Sequence, residues 1–172
     1  YDCRFDNAQF IKGQRSSYLF NSSIQDIDEA DAILLVGTNP RWEAAVLNAR
    51  IRKSYINNNC KIGLIGPKSD LTYKYDHISD SLSHLNDILA GKSYFTDILQ
   101  NAKKPMIIIG TSAINFEGGQ DILRICSEIA NKYNITNETF NGLNILQQNI
   151  SRVGSLDIKF YNNNFDQNWN SS

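Results

Sequence analysis

Three short apolar runs punctuate the chain: AILLV at Ala32–Val36, KIGLIG at 61–66 and PMIIIG at 105–110. Each has strand length, and the first and third are apolar throughout, as a strand covered on both faces must be. Polar stretches with helical spacing lie between them. Ser23 predicts the cap of a short helix through Ala30, with Ile24 and Ile27 on one face. After the first run, Asn39 and Pro40 predict a helix start. The spacing of Trp42, Ala45, Val46 and Ala49 carries that helix to about Tyr55 with those four residues inward. Further helices are predicted over Ser81–Ala90, closed by Gly91, over Ser93–Ala102 and over Asp121–Tyr133. The last of these buries Ile122, Ile125, Cys126 and Ile129. A final helix is predicted from about Asn141 to Val153 on the spacing of Leu143, Leu146, Ile150 and Val153. Residues 71–80, LTYKYDHISD, show no period and read as irregular.

Strands alternating with helices imply an α/β fold of three layers, a mainly parallel sheet with helices on both faces. Three strands are few for such a sheet. The expectation is therefore an incomplete portion of a larger domain, with further strands outside this chain. All three apolar runs end in glycine (Gly37, Gly66 and Gly110) at the carboxyl edge, where open α/β sheets bind ligands. The turn Gly37, Thr38, Asn39, Pro40 and Arg41 is the leading candidate. Amides at a helix start and the Arg41 charge suit a phosphate or a nucleotide. The same residues equally make an ordinary strand-to-helix turn. Neither GxGxxG nor GxxxxGK[ST] is present.

Composition narrows the choice. The formal net charge of −1 speaks against a nucleic-acid or anionic-membrane surface, and no apolar run has the length of a membrane span. Cys3, Cys60 and Cys126 are distant from one another and lack a CxxC pair, so a reducing compartment is the simplest reading and no metal ligand set emerges. The chain begins at Tyr1 and closes in the polar run NNNFDQNWNSS, which reads as a partial or processed chain. Its excess of Asn and Ile is what an AT-rich coding sequence, such as that of many organelle genomes, produces. Among single residues, Asp31 and Glu43 are acid or base candidates near the turn. His77 and His84 lack partners at metal-ligand spacing. Ser112, after Gly110 and Thr111, has no GxSxG elbow. No catalytic set assembles from these.

Longer phrases carry more information. YLFN at Tyr18–Asn21, GTNPR-x-EA at Gly37–Ala44, NARIRK at Asn48–Lys53, DLTY-x-YDH-x-xD at Asp70–Asp80 and AKKPMIIIG at Ala102–Gly110 together resemble the large iron–sulfur subunits of respiratory complex I (NADH:ubiquinone oxidoreductase). NILQ from Asn144 and DCR at Asp2–Arg4 extend the likeness. It lies in their C-terminal region, which has the fold of molybdopterin oxidoreductases. The likeness covers residues 1–158, an α/β segment, with 159–172 a polar tail where the family continues into an apolar strand.

The resemblance implies a structural segment of the peripheral, matrix-side arm at the mitochondrial inner membrane, with no span of its own. It implies no redox centre, cofactor or metal in this chain, iron–sulfur clusters in the remainder of the subunit, and other complex I subunits as partners. In molybdopterin enzymes the turn matching Gly37–Pro40 helps to hold the nucleotide part of the cofactor, so here Gly37–Arg41 would be a vestigial loop. The alternative is a cofactor-binding domain of a molybdopterin-dependent oxidoreductase, with its ligand at the edge formed by Gly37–Arg41, Gly66–Lys68 and Gly110–Ser112.

Overall fold

The computed structural model describes residues 8–160. The phrase at Asp2–Arg4, with Cys3, and all but the first two residues of the polar tail lie outside them. Five parallel strands form the sheet: β1 (Ala32–Val36), β2 (Lys61–Ile65), β3 (Asp76–Ser79), β4 (Pro105–Gly110) and β5 (Leu143–Leu146), in the order β3-β2-β1-β4-β5. β1 is central. Its Ala32 stands opposite Lys61 on one side and Pro105 on the other, and the registers run without a slip to Val36. All five β1 residues are buried, because both neighbours and both helical layers cover it.

The alternation along β1 and β4 sorts the core into two layers. Leu34, Val36, Ile107 and Ile109 face α4 (Leu85–Ala90), α5 (Phe95–Asn101) and α6 (Gly119–Lys132). Ile33, Leu35, Met106 and Ile108 face α1 (Ile24–Glu29) and α3 (Ala45–Asn58). The expected three-layer α/β architecture is therefore found, but its sheet has five strands within this chain where the sequence suggested three.

β3 and β5 were not expected as strands. β3 is an edge of only four residues, DHIS, none of them fully buried, so it carries no apolar run. Its crossover from β2 is the ten-residue segment 66–75, without a helix, in which Leu71 is fully buried and Tyr73 and Tyr75 are partly buried. β5 replaces the start of the helix predicted over Asn141–Val153. Leu143, Asn144, Ile145 and Leu146 are all buried, a demand that one face of a helix does not satisfy. Asn144 is accommodated because its amide accepts from the Ser22 N–H at 2.8 Å and donates to the Ser22 hydroxyl at 3.0 Å. The helix begins later, as α7 (Arg152–Asp157), and Ile150 is exposed.

The segment before α1 closes the β5 edge. The Ile145 N–H donates to the Leu19 carbonyl at 2.9 Å, and Asn21 Nδ2 donates to the Leu143 carbonyl at 2.6 Å. Arg15 holds Asp157 through two bonds of 2.8 and 2.7 Å, and Tyr18 donates to the same carboxylate at 2.9 Å. On the other helical layer, the Tyr133 hydroxyl donates to the Ile88 carbonyl at 2.8 Å, tying α6 to α4.

The helix expected from Pro40 to Tyr55 is interrupted. α2 (Pro40–Glu43) makes a single turn, and Ala44 (φ −154°, ψ 74°) turns the chain before α3. The break rotates α3 so that its buried residues are Asn48, Ile51 and Ser54, while Trp42 and Val46 are 81% and 73% exposed. Polar residues face inward because each has a partner. Asn48 donates to the Leu71 carbonyl at 3.0 Å and accepts from Tyr73 at 2.9 Å, and Ser54 donates to the Ala30 carbonyl at 2.6 Å. Cys60 and Cys126 are buried free thiols, pushed up to about 12 by desolvation.

At α1, Ser23 caps as expected, in a reciprocal capping box with Asp26. Ile27 is buried, but Ile24 is exposed. The Ser23 hydroxyl, and then Lys104, hold the Asp26 carboxyl down at about 2, against an ordinary value of 3.8. A carboxylate whose folded value is depressed stabilises the fold above its unfolded value and loses that contribution as pH falls through the folded one. Asp26→Asn is expected to flatten the fall in chemical-denaturation stability between pH 3.8 and about 2, measured against the parent chain over the same range.

Candidate functional site

The carboxyl ends of β1, β2 and β4 meet glycine on glycine. Gly37 turns the chain with φ +53°, and its N–H donates to the Ile65 carbonyl at 2.8 Å, adding one rung beyond β1. A Cβ on Gly110 would lie 2.4 Å from the Gly37 carbonyl oxygen and 2.8 Å from Thr38 Cβ, so only glycine lets β4 end against this turn. Gly66 has φ +136° and would bring a Cβ within 3.3 Å of Gly37 Cα. The strand ends thus form a tight floor. Above it opens a cleft of about 770 Å³, at the point where the sheet order reverses direction and doubly wound sheets take their ligands.

The turn on this floor is closed by its own side chains. The Thr38 hydroxyl donates to one carboxylate oxygen of Glu43 at 2.8 Å, and the Asn39 N–H donates to the other at 2.9 Å. Asn39, the expected cap of α2, makes no capping bond with its side chain. Glu43 instead accepts the Asn39 N–H from the far end of the turn, as the acid of a capping box does. Pro40 occupies the first helical position, where its missing N–H costs nothing. Arg41 reaches across to the 66–75 segment, where its guanidinium donates to the carboxylate of Asp70 and, at 3.2 Å, to the Asp70 carbonyl. The Thr72 amide first, and Arg41 second, hold the Asp70 carboxyl below the usual carboxylate range. The two groups with most to offer an anion, the Asn39 amide and the Arg41 guanidinium, are both engaged by carboxylates.

The candidates separate cleanly in space. Gly37, Thr38, Asn39, Arg41, Lys68 and Ser112 all line the cleft, as their positions after the apolar runs implied. Glu43 joins them, but Asp31 does not. It sits at the opposite edge of the sheet, accepting from the Lys103 and Lys104 amides at 2.7 and 2.9 Å, so the two carboxylates cannot share a reaction. The Ser112 hydroxyl donates to the Gly37 carbonyl and braces the turn. His77 Nε2 lies 2.9 Å from the Gly66 carbonyl and 3.3 Å from Asp80, and His84 pairs with Asp87 at 3.2 Å. Among the described residues, no three His, Cys, Asp or Glu side chains gather as a metal site, and no helix is long and apolar enough to cross a membrane.

Sequence reasoning missed Trp42, Asp70, Asp80 and Leu82 as cleft residues. Trp42 was expected in the core or at an interface, and the break at Ala44 turns it out of the core. Asp80 and Leu82 reach the cleft because they follow β3, whose own signal is weak. The phrase at Asp70–Asp80 includes Asp80, but no spacing marks Leu82.

The chain matches the molybdopterin oxidoreductase family over residues 1–170. It is 39% identical over 144 residues to the mitochondrial NADH dehydrogenase (ubiquinone) iron–sulfur protein 1 of Solanum tuberosum, covering 84% of this chain and 20% of that protein. To the mitochondrial NADH-ubiquinone oxidoreductase 78 kDa subunit of Neurospora crassa it is 43% identical over 148 residues, 85% of this chain and 20% of that protein. To the NADH-ubiquinone oxidoreductase 75 kDa subunit of Reclinomonas americana it is 37% identical over 153 residues, 89% of this chain and 22% of that protein. The resemblance seen in the sequence phrases is therefore borne out, and the chain spans about a fifth of the length of these curated relatives. It belongs to the molybdopterin oxidoreductase family.

Removing the Glu43 carboxylate leaves the Asn39 amide and Thr38 hydroxyl without their acceptor. Glu43→Ala is expected to cost about 1–2 kcal/mol in urea unfolding, and Glu43→Gln, which keeps one acceptor, about half as much. Equal stability of all three proteins would show that the turn does not rely on this contact.

Proposed function

We propose that this member of the molybdopterin oxidoreductase family is a structural segment of the large iron–sulfur subunit of respiratory complex I. On this reading it lies on the matrix side of the mitochondrial inner membrane and contributes shape and contacts. Electron transfer from NADH to ubiquinone runs through iron–sulfur clusters held by the remaining portion of that subunit and by its neighbours. The relatives' names support the assignment to the complex.

The observation that carries the structural role is the engagement of the turn's Asn39 N–H and Arg41 guanidinium by carboxylates. A pterin dinucleotide would set its pyrophosphate at the amides and cation of Gly37–Arg41. There the Asn39 amide already donates to Glu43, and Arg41 to Asp70. The cleft lining carries three carboxylates, Glu43, Asp70 and Asp80, against the two cations Arg41 and Lys68. These residues do not fit a doubly charged phosphate group, and no chemical step is assigned to such a cofactor.

The alternative, a working cofactor-binding domain, draws its support from the cleft itself, whose volume and position suit a ligand. Purification of the native assembly containing this chain, with identification of its partners by mass spectrometry and elemental analysis, separates the two. NADH dehydrogenase activity with iron and without stoichiometric molybdenum is expected. Molybdenum at one equivalent per chain, or a released pterin dinucleotide, would establish the alternative.

A further inference from the structure

Among the asparagines of the chain only Asn141 precedes a glycine. An asparagine carboxamide is an electrophile within reach of the next main-chain nitrogen, and the side chain of the following residue normally screens that nitrogen. Glycine has none. The dipeptide lies where α6 gives way to β5, in a narrow hairpin in which Thr136 and Asn141 form an antiparallel bridge. Packing demands the glycine. A Cβ on Gly142 would lie 2.5 Å from the Pro105 carbonyl oxygen and 2.9 Å from Ile135 Cγ2, so the fold cannot shield the site by enlarging this residue.

The native contacts polarise one reactant and withhold the other. Asn141 Oδ1 accepts from the Leu143 N–H at 3.1 Å and from the Thr136 hydroxyl at 3.3 Å, and both bonds draw electron density away from Cγ. The nucleophile is restrained. Gly142 is buried, and its N–H donates to the Ile135 carbonyl at 2.9 Å. Water is kept from that proton, and the nitrogen is aimed at Ile135. The carbonyls on either side of this nitrogen are held as well. That of Gly142 accepts from the Ile107 N–H at 2.8 Å, a rung between β4 and β5, and that of Asn141 accepts from the Ser22 hydroxyl at 2.8 Å.

We propose that Asn141 is a self-modification site, silenced while the β5 edge is closed and released when that edge opens. On opening, the Gly142 nitrogen gives its proton to water or hydroxide and bonds to Asn141 Cγ. The Cγ–Nδ2 bond breaks, ammonia leaves, and a succinimide ring closes. Water then adds to either ring carbonyl and opens it to aspartate or isoaspartate; nothing is oxidised or reduced. The two products differ in effect. Aspartate keeps an oxygen for Leu143 and Thr136. Isoaspartate inserts a methylene into the main chain between residues 141 and 142, which displaces the Gly142 rung and the register of β5 behind it. The site records an excursion of the edge strand and then prevents its return. The inference does not depend on the assembly to which the chain belongs.

The test incubates the full 172-residue chain in mildly alkaline buffer, either folded or unfolded in guanidinium chloride. Mass spectrometry after digestion follows conversion at each asparagine and separates aspartate from isoaspartate. In the unfolded chain Asn141 is expected to react about tenfold or more faster than Asn144, which precedes isoleucine. In the folded chain it should react at least about tenfold more slowly than in the unfolded one. Ser22→Ala frees the Asn141 carbonyl, and Asn21→Ala removes a donor to the Leu143 carbonyl. Each should speed the folded-state reaction about threefold or more, with circular dichroism showing the fold retained. Refolded isoaspartate chains should unfold at lower denaturant than Asn141→Asp, which keeps both acceptor contacts. Equal rates in the folded and unfolded chain, no preference for Asn141 over Asn144 when unfolded, unchanged rates in both variants, or isoaspartate chains as stable as Asn141→Asp would overturn the proposal.

Discussion

The bridge that Glu43 makes between the Thr38 hydroxyl and the Asn39 amide decides what the carboxyl edge of this sheet can do. A helix N-terminus whose amides are open to solvent is a ready site for an anion. Here a carboxylate from the end of the same helical turn takes that place. The contact depends on close packing beneath it. Gly110 must lack a Cβ for β4 to end against Gly37 and Thr38, and Gly37 must adopt a positive φ to send the chain back toward Glu43. One short turn thus fixes the floor of the cleft, the start of α2 and the charge of the lining.

The two-sided burial of β1 and β4 made the fold readable. AILLV and PMIIIG have no polar position because both helical layers press on them, so their strand character is visible in sequence. β2 shares this after its exposed first residue, Lys61, and α6 shows a clean apolar face from Ile122 to Ile129. The carboxyl edge follows from these strands, and its glycines mark most of the cleft in the sequence itself. β3 and β5 were hidden for opposite reasons. β3 is a short polar edge strand reached without a helix, and β5 is a buried strand whose Leu143 and Leu146 also satisfy a helical spacing. The long-range partner Ser22, with the nearby Gly142 carbonyl, explains how Asn144 can sit among buried residues. The orientation of α3 was misread because the bend at Ala44 resets the phase of the helix, and the polar groups it turns inward are satisfied by residues in other elements.

These misreadings bear on the site. Trp42 is exposed at the cleft because of the bend, and Asp80 reaches it because of β3. The family's fold supplies a cleft at the sheet's switch point, and its character here comes from Glu43, Asp70 and Asp80, which lie in the phrases at 37–44 and 70–80, and from Trp42. Carboxylates face a turn built for anions, and an indole stands at the rim. A family can keep the framework of a nucleotide site while a few side chains alter what the framework accepts, which is why fold and function must be argued separately.

The proposed structural role requires that the turn Gly37–Arg41, engaged by Glu43 and Asp70, take no phosphate. Titration of the isotopically labelled chain with guanosine diphosphate, following the Thr38 and Asn39 amide resonances by nuclear magnetic resonance, tests it most directly. These amides are expected not to move up to about 1 mM nucleotide, a dissociation constant worth about 4 kcal/mol. Saturable shifts centred on Thr38, Asn39 and Arg41 would contradict it and identify the turn as a working nucleotide cradle.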